Sequence, residues 1–425
     1  MNTLTDLEID LHQALLMIAR ALDYVGIDDI NHGHRVGYMA YRCAQYLGWE
    51  EKKAAFAYYT GLIHDCGVSS TEEHQNLVGY LVPENERAHC LKGYSELEKC
   101  PLLQDFSIPV LYHHTRWTDL IKLDISDYDK DIAAIVYIAD RVDFLRNYYT
   151  QSIHHDAVTL QAGLISDHIQ SQSGLMFEPD MVKAMCGLIA TEGFWFNMDA
   201  TCLEVFASER KDSQLQYCHK LSLNNIIQLA RFVARIVDAK SSFTFEHSER
   251  VALLAKMLAT DMDFEPRMCE MIYVAGLLHD IGKLRTPDEI LNKNNRLTDE
   301  EYSKIRRHTV DTDFALRIFF KNSDIGKWAS NHHERLDGSG YPYHKKAIDL
   351  DLPSRIIAIA DIFQALSQKR PYRKERMQPD EIIREMTSLV ENNKIDKDVF
   401  SFVQNDIDRY YCASIGAKEM NFQEI

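Results

Sequence analysis

Seven histidine and aspartate side chains recur in the same order at two places in this 425-residue chain. The first set is His32, His64, Asp65, His89, His113, His114 and Asp140; the second is His247, His279, Asp280, His308, His332, His333 and Asp361. From the first His to the His-Asp pair is 32 residues in both sets, and from the third His to the paired His is 24 in both. Flanking residues agree as well, with Gly61-Leu62-Ile63 before one His-Asp pair and Gly276-Leu277-Leu278 before the other. An ancient duplication with one divergent half explains this pattern. Five imidazoles and two carboxylates exceed what one ion needs and suit a binuclear centre. Nitrogen and oxygen donors without thiolate favour Fe, Mn, Zn or Ni over soft-metal sites, and an Asp at the centre would span two cations through its two oxygens. Two divalent ions roughly 3.5–4 Å apart activate water near neutral pH and draw charge from a phosphoryl oxygen. The chemistry indicated is hydrolysis of phosphate esters.

The residues between these ligands follow helical periodicity. Val251, Leu254, Ala255 and Leu258 form one stripe, and Tyr273, Val274, Leu277, Leu278 and Ile281 another, with Gly282 offered as a stop. Sustained strand alternation is not seen, so the expected fold class is all-α. Residues 11 to 24 and 225 to 239 form comparable amphipathic helices, each ending in an Asp-containing segment ahead of the first His. Lys283 follows His279 by four residues, so a continuous helix would put both on one face beside a bound phosphate. The six histidines without a counterpart, His74, His154, His155, His168, His219 and His344, are read as structural, and His34, whose counterpart is Glu249, ranks below His32.

Length allows two or three domains, and the repeat selects two: residues 1–205, a linker at 206–220, and residues 221–425. Hydrophobic content of 46% and charged content of 26% are those of a globular protein. A net charge of −17 excludes a coat for nucleic acid or for anionic membranes, although screening over about 8–10 Å permits a local site for a small anion. Nine cysteines without a Cys-x-x-Cys pair indicate reduced packing thiols, Cys66 and Cys90 included. The opening residues lack a secretory pattern and the apolar runs are too short to span a bilayer, so a cytoplasmic location is expected.

The second half resembles the HD-GYP family, the bacterial cyclic dinucleotide phosphodiesterases of the HD phosphohydrolase superfamily, over about residues 222 to 400. The resemblance is carried by His247, His279-Asp280-Ile281-Gly282-Lys283, Pro287-Asp288-Glu289-Ile290-Leu291, His308, His332-His333-Glu334, Gly340-Tyr341-Pro342, Asp361 and Arg370-Pro371-Tyr372-Arg373. It implies a helical domain with Fe, Mn or related ions bridged by Asp280, Lys283 near the phosphate, Arg370 and Arg373 gripping substrate phosphates beside Tyr341, and a homodimer. Some members place a Glu four residues before the first His for a third metal; here that residue is Phe243, so two metals are expected. The implied substrate is cyclic di-GMP or 3′,3′-cyclic GMP-AMP (cGAMP), and both bases remain open.

The first half keeps all seven ligand types but has Val68 in place of Lys283, lacks Gly-Tyr-Pro, and has Tyr149 and Ser152 in place of the two arginines. It is read either as a second hydrolase that removes the 5′-phosphate exposed by ring opening, or as a non-catalytic binding or dimerisation module that regulates the second half.

Overall fold

The computed structural model describes residues 7–26, 31–68, 70–74, 86–150, 155–210, 216–240, 246–293, 295–321, 323–368 and 375–416. It is all-helical, with isolated bridges but no strands among the described residues. No helix among them is long and apolar enough to cross a membrane. Contacts separate two units, Asp10–Lys220 and Leu221–Ile425, the latter taking up residues 7 to 9.

In the first unit Asp10 caps helix α1 (Leu11–Asp23), its carboxylate accepting from the Gln13 amide while the Gln13 side chain answers the Asp10 N–H. The ligand-bearing scaffold continues with α2 (His32–Tyr46), α3 (Glu51–Ile63), α4 (Glu86–Glu98), α5 (Ser107–Tyr112) and α6 (Asp127–Thr150). The second unit repeats the series: α7 (Leu223–Ala239), capped by Ser222, then α8 (His247–Asp261), α9 (Pro266–Leu278), α10 (His308–Phe319), α11 (Ile325–Ser330) and α12 (Leu352–Ser367). Leu15, Ile18, Tyr58 and Tyr59 are buried in the first core, and Leu229, Phe232, Val274 and Leu277 in the second. Each such apolar side chain contributes about 1.5–3 kcal/mol of burial, which holds the helices against the cost of the polar residues between them.

The same two devices start the first-histidine helix in both units. A left-handed residue precedes it, Asn31 with φ 78° and Glu246 with φ 62°. An aspartate from the preceding helix then satisfies its first amides. Asp23 accepts from the Asn31 and Gly33 N–H groups (both 3.1 Å), and Asp238 from the Ser248 N–H (3.0 Å) and hydroxyl (2.8 Å). Four orphan donors at a helix start need such acceptors.

Two expectations are corrected here. Residues 206 to 210 do not begin a linker: Phe206 lies edge-on to Tyr38 at 5.1 Å and the Arg210 guanidinium sits 3.5 Å over the Tyr41 ring, completing the first unit. Residues 211–215 lie outside the described residues. Helix α9 also ends at Leu278, so Lys283 does not share a helix with His279; it arrives on a 3-10 turn, Ile281–Arg285. Gly282 is therefore not a helix stop. It is a point of contact, because a Cβ there would lie 2.0 Å from the His308 carbonyl oxygen, and one at Gly67 would lie 1.9 Å from that of His89. The turn after each His-Asp pair is thereby pressed onto the helix that carries the third histidine. Gly282→Ala should force that turn away at an overpacking cost of about 1–3 kcal/mol or more, visible as a melting point lowered by several degrees together with loss of bound metal. An unchanged melting point and metal content would refute this account of the glycine.

Candidate metal centres

The second-half ligands come from five places: His247 from the start of α8, His279 and Asp280 from the end of α9, His308 from the start of α10, His332 and His333 from just beyond α11, and Asp361 from within α12. All seven converge. Asp280 Oδ2 lies 3.4 Å from His247 Nε2 and 3.1 Å from His279 Nε2, while Oδ1 lies 3.6 Å from His308 Nε2 and 3.7 Å from His332 Nε2. Asp361 closes the group, with Oδ1 3.5 Å from His247 Nε2 and Oδ2 4.0 Å from His333 Nδ1. One carboxylate thus presents an oxygen to each of two histidine groups.

Proton placement explains why these atoms need a cation. The Nδ1 atoms of His279, His308 and His332 donate to the carbonyls of Gly276 (2.7 Å), Ile305 (2.6 Å) and Ala329 (2.7 Å), and His247 Nδ1 donates to Gln364 Oε1. Each Nε2 is then a bare lone pair. His308 and His332 point theirs at one another across 3.2 Å, and His279 Nε2 and Asp280 Oδ1 are buried with no hydrogen-bond partner. Lone pairs facing lone pairs and carboxylate oxygens in a buried space repel unless a positive charge lies between them. The residues fit a metal pair.

The first unit shows the same division. Asp65 Oδ2 faces His64 Nε2 (3.5 Å) and His32 Nε2 (3.7 Å), and Oδ1 faces His89 Nε2 (3.5 Å) and His113 Nε2 (3.7 Å). Two of its buried orphan atoms, His64 Nε2 and Asp65 Oδ1, are the counterparts of those in the second unit, and His89 Nδ1 is a further one without a counterpart there. His114 Nε2 lies 3.8 Å from Asp140 Oδ2. His34 turns away to Asp23, at 3.3 Å.

Burial opposes charge throughout. It would raise Asp280, yet neighbouring groups, the Lys283 ammonium among them, hold that carboxyl well below the usual range. Asp65 is likewise held low against burial by the groups around it. Burial takes His308 and His64 down to about 4, and pushes His332 well below its ordinary value with help from His279. Ionised carboxylates and neutral imidazoles are the forms that bind cations.

Around the ligands the units differ. Lys283, only partly exposed, donates to Asp280 Oδ2 at the rim of the second site, whereas Val68 is buried in its place in the first. Tyr341 packs on His333 at 4.7 Å, its loop pinned by Glu334, whose oxygens accept from the Tyr343 (2.8 Å) and Lys345 (3.0 Å) amides. Arg370, Arg373, Phe243 and Ser152 lie outside the described residues. Several supporting residues escaped the sequence reading. Gln364 and Asp143 stand one helical turn after Asp361 and Asp140 and orient the first histidine of each set, Asp143 accepting from His32 at 2.8 Å and pairing with Arg35 at 2.7 and 2.8 Å. Their common i+3 offset was the available signal. Arg141, buried, donates to Asp140 Oδ2 at 2.6 Å, and His74 lines a recess with His32, His64 and Asp65.

The sequence pattern of the HD domain family matches residues 231–399. Over 407 residues, 96% of this chain and 94% of the relative, the chain is 43% identical to the 3′3′-cGAMP-specific phosphodiesterase 1 of Vibrio cholerae serotype O1. The chain belongs to the HD-domain phosphodiesterases. A cyclic di-GMP phosphodiesterase of Pseudomonas aeruginosa is 31% identical over 183 residues, 41% of this chain and 44% of the relative. The crystal structure of a cyclic GMP-AMP specific phosphodiesterase of V. cholerae superposes with a TM-score of 0.64 at 20% identity, covering 96% of this chain and 98% of that one, and so shares the fold.

Removing the amide that fixes the His247 tautomer, as in Gln364→Ala, should weaken metal binding about 10–100-fold, measured by competition with a chromogenic chelator. Equal affinity in variant and parent would show that the tautomer is set elsewhere.

Proposed function

We propose that the second unit opens cyclic dinucleotide rings, with 3′,3′-cGAMP the preferred substrate and cyclic di-GMP the second, to give a linear dinucleotide ending in a 5′-phosphate. The observation that carries this reading is the single carboxylate, Asp280, facing two sets of buried imidazole lone pairs with a lysine at its edge. His247, His279 and Asp361 would hold one cation and His308, His332 and His333 the other, with Asp280 shared; Fe or Mn suits these donors. When bound, the metal pair supplies Lewis acidity at the phosphoryl group and makes a water nucleophilic near neutral pH. Water oxygen joins phosphorus, the P–O3′ bond breaks, and one proton of the water ends on the departing 3′ oxygen. Lys283 would neutralise charge on a non-bridging oxygen, and Tyr341 would wall the site beside His333. Arg370 and Arg373 are assigned to the phosphates by the family resemblance alone. The cGAMP preference is supported by the name of the relative that matches at 43% across nearly the whole chain, where the cyclic di-GMP relative matches less than half. The resemblance also supports a homodimer, which sedimentation should reveal as twice the mass of the 49.1 kDa chain.

The first unit is proposed to remove the 5′-phosphate from that linear product: water oxygen joins phosphorus, the P–O5′ bond breaks, and a proton passes to the 5′ oxygen. Its support is the complete ligand set with the same orphan atoms. The competing reading, a silent binding or dimerisation module, is favoured by Arg141, which occupies an oxygen of Asp140.

Purified protein loaded with Mn or Fe should cleave 3′,3′-cGAMP, and Asp280→Ala should abolish cleavage. Lys283→Ala should lower kcat by about 100-fold, the scale of a lost transition-state donor. His64→Ala/Asp65→Ala should leave ring opening intact and accumulate the 5′-phosphorylated dinucleotide. An unaltered product distribution would favour the silent module, and an uncut ring would remove the primary reading.

A further inference from the structure

The paired histidines of the two units border different surroundings. In the second unit His333 is covered by Tyr341. In the first, its counterpart His114 borders a cavity of about 410 Å³, within the range of about 300–1,000 Å³ typical of small-molecule sites. The chain after His114 turns into a short helix, Trp117–Leu120, whose Trp117 and Thr118 amides donate to the Met176 (3.0 Å) and Leu175 (3.2 Å) carbonyls. That anchoring holds one wall in place without a ligand.

The lining is unusual for a chain of net charge −17. Arg87, near the start of α4, and Arg116, two residues beyond His114, both face the cavity, and neither is paired with a carboxylate among the described residues. The only acidic side chain lining it, Asp119, is paired with Lys122 at 2.9 Å. Behind His114 the buried Arg141 is already paired with Asp140 and does not line the cavity. Tyr112 and Leu123 supply an aromatic and an apolar surface, and Thr115 a hydroxyl. The cavity therefore combines a metal-ligand histidine, two guanidiniums and a face suited to a planar base.

We propose that this cavity is the binding site for a nucleotide 5′-phosphomonoester, with Arg87 and Arg116 holding its phosphate beside His114 and Tyr112 facing the adjoining nucleoside. A terminal monoester carries close to two negative charges near neutral pH and exposes three acceptor oxygens, which guanidinium forks match in pairs. A ring diester carries one charge per phosphate and two free oxygens, a poorer match to this density of cation. The inference rests on the dephosphorylation reading for its chemistry, while the binding site stands on the cavity itself.

The test uses the full-length, metal-loaded protein with Asp280→Ala to silence ring opening. Titration calorimetry would follow a linear adenylyl-guanosine dinucleotide carrying a non-hydrolysable 5′-methylenephosphonate, with the dinucleotide lacking any 5′-phosphate as control. The expected result is binding of the phosphonate that falls at least tenfold in Arg116→Ala and in Arg87→Ala, recovers in part in Arg116→Lys, and is at least tenfold weaker for the control. Placed in the parent chain, the same arginine variants should raise KM for phosphate release more than they lower kcat and leave ring opening by the second unit unchanged, which certifies folding. Equal phosphonate affinity in parent and both alanine variants overturns the proposal, even where phosphate is still released. Arginine-dependent binding without phosphate release in the parent supports the site and instead overturns the dephosphorylation reading.

Discussion

A buried carboxylate with an imidazole lone pair at each side is the arrangement on which both units depend. Asp280 and Asp65 would be costly to ionise in a protein interior, and His279 and His64 beside them are turned so that Nδ1 donates to the backbone and Nε2 faces the carboxylate as a lone pair. Backbone carbonyls one turn upstream impose that orientation, so the helix ends themselves fix which nitrogen faces inward. The fold therefore stores an electrostatic conflict that bound cations would relieve. Structural metal sites couple folding to ion binding in this way, and the compact packing of the surrounding helices maintains the conflict when they would otherwise drift apart.

The repeat shows which parts of the device are general and which are particular. Capping aspartates, left-handed residues before the first histidine, the glycine pressed against the third-histidine helix and the divided carboxylate occur in both units. The outer parts differ. A neutral amide, Gln364, supports His247, while a carboxylate already clamped by Arg35 supports His32. Lys283 reaches the second centre where Val68 is buried in the first, and Tyr341 covers the second where a cavity adjoins His114. The histidine and aspartate scaffold recurs in both units while the walls around it differ.

Ligand spacing made much of this legible before any coordinates. Histidines number only 18 in the chain, the intervals between the matched ones recur, and helical periodicity between them leaves few ways to arrange the elements. Residues that act through hydrogen bonds to ligands were harder to see. Gln364 and Asp143 differ in type, so only their shared offset from Asp361 and Asp140 marks them, and Arg141 has no counterpart with which to be compared. A spacing of four residues suggested one helical turn for Lys283, but the helix ends at Leu278 and the 3-10 turn that follows is set by a long-range feature, the contact of Gly282 with the His308 carbonyl. Arg87 and Arg116 are 29 positions apart and ordinary in type, and only tertiary structure brings them to one cavity.

Arg141 also bears on how a newly made chain matures. In the first unit a built-in guanidinium already neutralises Asp140, so part of the acidic cluster is balanced from the moment the helices meet. In the second unit the residue after Asp361 is Ile362, and the nearest partner of its second oxygen is His333 at 4.0 Å. Each half thus carries one built-in cation at a different carboxylate, Arg141 at Asp140 and Lys283 at Asp280, so ions entering the two clusters would meet uncompensated charge at different places.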